Sequence, residues 1–338
     1  MQLSARIQLL TKLGKYIHTN GESWQQAKLQ ATAANGWFTP QFLDLAMQNI
    51  VTEYLNEGVL QAFAKQYNIP NKQPNPKTIG IVMAGNIPLV GIHDFVCALL
   101  SGHKLAIKLS EKDNVLLPHL ISYVDTLSNF DEGNTSASNY ITVQPMLKGC
   151  DAYITTGSNN SARYFAQYFG AYPHIIRRNR TSVAILTGTE TEAQLQDLAD
   201  DIHLYFGLGC RNVTKLYVPV NYNFKPLLQV SRRFAHFAHH HKYKNNYDYN
   251  LALHMLNKVY YMTNESLLVI ENEGIFSPIS QLNYSYYTNL ADVAASLHNN
   301  PDVQCIVGNG NVPFGQAQQP SLTTFADGVD TMHFLTNL

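Results

Sequence analysis

From residue 78 to residue 219, short β-branched runs take turns with apolar helical stretches, and this alternation constrains the fold more than any other feature. Residues 78–83 (TIGIVM) and 104–109 (KLAIKL) read as strands, as do residues 140–143, 152–155 and 182–186. Residues 90–101, stopped by Gly102, and residues 116–127 read as helices between them. Such alternation specifies an α/β fold with a mostly parallel sheet covered on both faces. Ligands of these sheets bind outside the carboxyl ends of the strands.

The flanks extend this frame. Residues 2–68 read as helical, with Leu9, Leu10, Leu13 and Ile17 at helical spacing. Thr39 and Pro40 are a cap and a first-turn proline opening a helix through Leu43, Leu45, Ile50 and Leu55. Residues 69–77 (IPNKQPNPK) form a Pro/Asn-rich connector. A helix from residue 192 to about residue 205 leads to Gly207, Leu208, Gly209 and Cys210, and a strand follows at 214–219. Residues 222–241 look helical, residues 265–271 resemble a strand, and residues 314–338 are loop-rich.

Charge narrows the function classes. Apolar residues make up 45% of the 338 residues, charged residues only 14%, and formal net charge is −1. No field is available to gather nucleic acid or an anionic membrane. No window approaches the roughly 18 apolar residues that span a bilayer. The N-terminus, with Arg6, Lys12 and Lys15, does not read as a signal peptide, so a cytoplasmic protein is expected. Cys97, Cys150, Cys210 and Cys305 lie far apart, and without a CxxC pair neither a zinc knuckle nor a redox dithiol is indicated. A lone cysteine in a reducing compartment is either core filler or a nucleophile.

Several short segments can carry chemistry, each beside a plainer reading. Cys210 stands in FGLGCRN, where Gly207 and Gly209 let the backbone approach a ligand; the plain reading is a buried cysteine in a tight turn. Asn86 follows a strand in AGNIPL, placed to donate to an oxyanion; plainly, it shapes a turn. Lys108, Ser110 and Glu111 end the second strand, where a cation and a carboxylate suit an adenosine ribose or simply solvate a strand end. Thr156, Gly157 and Ser158 open a helix, which suits a pyrophosphate or is an ordinary serine cap.

Together and in this order, strand–GNxP, strand–KxSE, strand–TGS–helix and GxGC resemble the aldehyde dehydrogenase superfamily over residues 78 to about 220. Within it, GNIPLVGIHDFVCALLSGHKLAIKLSEKD, DAYITTGSNNSARYF and FGLGCRNVTKLYVP are most similar to fatty acyl-CoA reductases of the LuxC type, the reductase component of bacterial luminescence systems. The resemblance implies an aldehyde dehydrogenase-like fold. Residues 1–180 would hold the N-terminal helices and a Rossmann-like cofactor domain. Residues 181–338 would form the α/β catalytic domain, with the tail returning to the first. It implies Cys210 as nucleophile, Asn86 and the Cys210 amide as oxyanion hole, and Lys108, Ser110 and Glu111 at the ribose. Thr156, Gly157 and Ser158 would lie near the pyrophosphate, and Phe276 on the nicotinamide side. The family's glutamate before that phenylalanine is replaced by Gly274.

The activity implied is NAD(P)H-dependent reduction of an acyl-CoA to the aldehyde. NADPH is the expected cofactor, and NADH stays open because Glu111 favours free ribose hydroxyls. An acyl-phosphate reductase and a non-catalytic acyl- or nucleotide-binding relative are the rival readings. A second copy of the chain or an acyl-transfer protein remains open as a partner. Arg177 stands where the oxidising enzymes carry their glutamate base. Arg177, Arg178 and Arg180 otherwise read as a solvated loop, with phosphate contact the sharper alternative. His236 and His240 read as i,i+4 on a helix, a geometry for metal, but without an acidic or cysteine partner they read as a solvated face, and no metal is expected.

Overall fold

The computed structural model describes residues 1–128, 139–298 and 300–338. They form two compact units, Met1–Asn179 with Ser321–Leu338, and Arg180–Pro320.

The first unit opens with α1 (Leu3–Thr19), α2 (Glu22–Ala34), α3 (Pro40–Glu53) and α4 (Glu57–Gln66). Thr39 caps α3 through the Phe42 N–H, and Asn56 caps α4 through Gly58 and Val59. Leu10, Leu13, Leu43 and Leu60 are buried. Arg6 is buried too, its guanidinium donating to the carbonyls of Leu100, Pro70 and Asn71. It lies over left-handed Gly102 (φ 88°), where a Cβ would overlap it.

The first sheet holds β1 (Thr78–Val82), β2 (Lys104–Lys108), β3 (Ile141–Val143), β4 (Ala152–Thr156) and β5 (His174–Arg177), with α5 (Ile92–Ser101), α6 (Leu116–Ser128) and α7 (Asn159–Phe169) between strands. All pairings are parallel, in the order β3-β2-β1-β4-β5. The order reverses beside β1, the place where open parallel sheets take their ligands at the carboxyl ends of the strands.

The second unit contains β6 (Thr181–Ile185), α8 (Glu192–His203), β7 (Val213–Pro219), α9 (Lys225–Val230), α10 (His241–Leu256), β8 (Tyr261–Thr263), β9 (Leu268–Glu271), β10 (Gln281–Tyr287), α11 (Leu290–His298) and β11 (Val303–Val307). The strand order is β11-β6-β7-β10-β9-β8, parallel except for β8. Leu198, Leu216, Val218, Leu227 and Leu282 fill its core.

Residues 222–241 are not one helix. A short α9 passes into a 3-10 stretch, Ser231–His239, and a separate helix continues to Leu256. His236 and His240 therefore do not share a helix face. His236 Nδ1 donates to the Arg233 carbonyl, while His240 caps α10 by accepting the Tyr243 N–H. Among the described residues no group of three His, Cys, Asp or Glu side chains gathers as metal ligands.

The tail returns to the first unit, where α12 (Thr331–Thr336) packs on α5. Tyr67 donates to Asp330, and the Leu322 and Leu335 carbonyls accept from His93 and His103. Among the described residues, no helix is long and apolar enough to cross a membrane.

Candidate active site

In the first unit, Asn86, Lys108, Ser110, Glu111, Thr156, Gly157 and Ser158 gather at the carboxyl ends of β1, β2 and β4, which are adjacent strands. The loop carrying Asn86 packs on the turn carrying Ser110: a Cβ at Gly85 would fall 2.8 Å from the Ser110 Cβ. Leu89 is held in the left-handed region (φ 50°), and its N–H donates to Asp113 Oδ2 at 2.7 Å. Burial pushes the Asp113 carboxyl up to about 6, against the pull of that N–H. Asp113 thus fixes the loop that carries Asn86. Sequence reasoning missed it, although a serine followed three residues later by an aspartate is a recognisable turn.

The remaining groups divide by what already occupies them. Lys108 and Glu111 are exposed, and among the described residues neither side chain has a hydrogen bond or ion pair. Ser110 Oγ accepts the Lys112 N–H. Ser158 caps α7 through Ser161, and the Gly157 N–H donates to the Arg177 carbonyl. An available ammonium and carboxylate at one strand end fit a ribose with its adjoining phosphate, so the residues present suit a dinucleotide.

Arg177 is a correction. Residues 174–177 form strand β5, not a solvated loop, and Arg177 is 4% exposed. Its guanidinium donates to Asp94 Oδ2 at 2.5 Å and to Thr331 Oγ1 at 2.8 Å. Burial pushes the Asp94 carboxyl up, but Arg177 and His93 outweigh it and hold the group well below the usual carboxylate range. A buried guanidinium needs such partners, and both are distant in sequence.

In the second unit, Cys210 is half-buried in the turn between α8 and β7, whereas Cys97 and Cys150 are buried. Asn212, fully buried, builds that turn. Its Oδ1 accepts the Gly209 N–H at 2.8 Å, and its Nδ2 donates to the Leu204 and Asp201 carbonyls at 2.9 and 3.0 Å. Tyr205 (φ 55°) and Phe206 (φ 57°) precede it in the left-handed region, which costs about 1–2 kcal/mol per residue. Burial of their rings offsets the strain, with Phe206 4.5 Å from Phe237. Ser182 Oγ donates to the Cys210 carbonyl at 3.1 Å and lies 3.0 Å from Cys305 Sγ. Burial pushes the Cys305 thiol up despite Arg211, which disfavours its thiolate.

Phe276 is exposed in the loop between β9 and β10, and that loop is pinned from below. Lys215 Nζ donates to the Asn272 carbonyl and to Ser285 Oγ. Thr214 Oγ1 donates to the Ile275 carbonyl at 2.6 Å, and Asn283 Nδ2 to those of Gly274 and Phe276 at 2.9 and 3.0 Å. Lys215 is fully buried, and burial lowers its ammonium to about 8 against the attraction of Glu273 and Glu271. Cys210 and Phe276 thus stand at the same, amino end of the second sheet, tied through Thr214. Asn212, Thr214, Lys215 and Asn283 were not singled out from the sequence; a lysine and an asparagine amid apolar strand residues were the available signal.

No family model matches the chain, and no curated protein matches it. Solved structures do match in fold. The P. syringae indole-3-acetaldehyde dehydrogenase AldA, in complex with NAD+ and IAA, is 11% identical with a TM-score of 0.69, over 91% of this chain and 72% of that one. A Mycobacterium tuberculosis aldehyde dehydrogenase complexed with NAD+ is 12% identical with a TM-score of 0.65, over 95% and 77%. Pseudomonas syringae AldC, complexed with NAD+ and octanal, is 12% identical at 0.65, over 92% and 73%. The fold is aldehyde dehydrogenase-like.

Proposed function

We propose that this chain performs nicotinamide-dependent chemistry at the aldehyde level of oxidation, and that it reduces a fatty acyl-CoA thioester to the aldehyde. The observation that carries this reading is the Cys210 turn, a half-buried cysteine held by a buried asparagine beside the pinned Phe276 loop. The aldehyde dehydrogenase-like fold supports it, as do relatives solved with NAD+ and, in one case, octanal.

Cys210 Sγ adds to the thioester carbonyl carbon, and the bond from that carbon to the CoA sulfur breaks. The oxyanion is stabilised by the Cys210 N–H and, on the sequence resemblance, by the Asn86 amide. NADPH, or NADH in view of Glu111, supplies hydride when bound; Lys108 and Glu111 are the residues that would hold its adenosine ribose. The thiohemiacetal on Cys210 takes a proton, and the aldehyde leaves as the thiol is restored. Thioester exchange is nearly isoenergetic, so positioning and oxyanion stabilisation suffice.

Two features favour reduction over hydrolysis. Arg177, in place of the glutamate base, is committed to Asp94. Asp201, on the helix leading to Cys210, accepts the N–H groups of Gly315 and Ala317 at 2.7 and 3.0 Å. Mass spectrometry after treatment with palmitoyl-CoA should find an acyl adduct on Cys210, and its absence would favour a non-catalytic relative. A long-chain aldehyde with NADP+ and no CoA should yield no multi-turnover fatty acid. Rapid acid production would replace the reductase with an oxidising dehydrogenase.

A further inference from the structure

The second sheet has another end. A crevice of about 540 Å³ lies at the carboxyl ends of β7 and β10, within the roughly 300–1,000 Å³ of small-ligand sites. The length of β7 puts it about 20 Å from Cys210, which precedes that strand. Its position follows the rule for parallel sheets, whose ligands bind at the carboxyl ends.

One wall is aromatic. The rings of Tyr222 and Phe224 are 4.9 Å apart, those of Phe224 and Tyr284 4.5 Å, and those of Tyr284 and Tyr286 5.4 Å; Phe224 and Tyr284 are buried and back the wall, so its open ring surface belongs to Tyr222 and Tyr286. Tyr260, 73% exposed, stands at the mouth. Lys225 and Arg232 also line the crevice, and among the described residues neither side chain has an ion pair or hydrogen bond. Adjacent Arg233, by contrast, is paired with Asp200 at 2.7 Å. Glu190, near Tyr222, turns into its own loop and accepts the N–H groups of Thr187 and Gly188.

We propose that this crevice binds a nucleotide, with the base against the tyrosine wall and a phosphate on Lys225 and Arg232. Aromatic faces take any planar base, and two available cations beside them select for the anion. The site does not depend on the Cys210 chemistry.

Calorimetry on the full chain tests it, with AMP as first probe. AMP should bind with a Kd below about 1 mM. Lys225→Ala with Arg232→Ala should weaken it about tenfold or more, and Tyr260→Ala by about threefold. All three residues are exposed, so these variants keep the fold. Inorganic phosphate should bind at least about tenfold more weakly than AMP. Coenzyme A as second probe separates a free nucleotide from the nucleotide end of a larger ligand: tighter binding than AMP, still lost in the double variant, assigns the larger ligand, and equal or weaker binding the free one. AMP affinity unchanged by the double substitution, phosphate binding as tight as AMP, or no binding at all would overturn the proposal.

Discussion

The two sheets carry their candidate residues at different ends. In the first unit they sit at the carboxyl ends of parallel strands, the usual place for ligands, where the loop after β1 braces the turn after β2 (Gly85 against Ser110, Leu89 on Asp113) and Ser158 caps its own helix through Ser161. In the second unit, Cys210 and Phe276 sit at the amino end. There Asn212 holds the Cys210 turn locally, but the Phe276 loop is supported from far along the chain, with Lys215 and Asn272 57 positions apart and Thr214 and Ile275 61 apart. The first arrangement closes between the loops of two successive strands. The second depends on buried polar side chains that work only once the sheet is assembled, since an unmet buried polar group costs about 1–3 kcal/mol.

The strongest challenge to this contrast is Cys210→Ser, which should abolish aldehyde formation while calorimetry shows unchanged dinucleotide affinity. Coupled loss of both would mean that the two regions do not act separately.

Next comes Asp201. Burial raises its carboxyl to about 7 from an ordinary value of 3.8, against the Gly315 and Ala317 N–H groups. A raised folded value contributes stability below the unfolded one and loses it as pH rises through the folded one. Urea unfolding should therefore show stability falling between about pH 4 and pH 7, by at most about 4 kcal/mol, and Asp201→Asn should flatten that slope. An unchanged slope would remove Asp201 from the scaffold beneath the Cys210 turn.

Asn86→Ala should lower kcat by roughly 100-fold, about 3 kcal/mol, as for loss of an oxyanion donor. A raised KM with unaltered kcat would reduce the first sheet's edge to a binding surface. Smallest is Lys108→Ala, expected to weaken dinucleotide binding by about tenfold, about 1.4 kcal/mol, with Cys210 acylation intact. Unchanged affinity would move the ribose elsewhere.

Legibility along the chain follows the same division. Strands β1, β2 and β4 were readable because their apolar runs end in glycine, serine or lysine, and α3 because Thr39 and Pro40 announce it. Strand β10 (QLNYSYY) was hidden by its polar residues, although Asn283 and Ser285 are buried. Helix α10 (HKYKNNYDYNLALHML) was hidden because its apolar residues do not gather at helical spacing. Strand β5 was hidden by its arginine, which reads as solvent-facing until Asp94 is brought beside it.

The candidate site divides likewise. Cys210 and Asn86 stand out as candidates in the sequence because glycine next to a reactive or donor side chain is a local signature. Caps, turns and strand–helix alternation are equally local, and they prescribe an α/β chain with a cysteine at a tight turn. Lys215, Asp201 and Arg177 acquired meaning only in the folded sheets. Whether a polar side chain faces water or closes a loop depends on which distant carbonyl or carboxylate arrives within about 3 Å, and no short stretch of sequence encodes that partner.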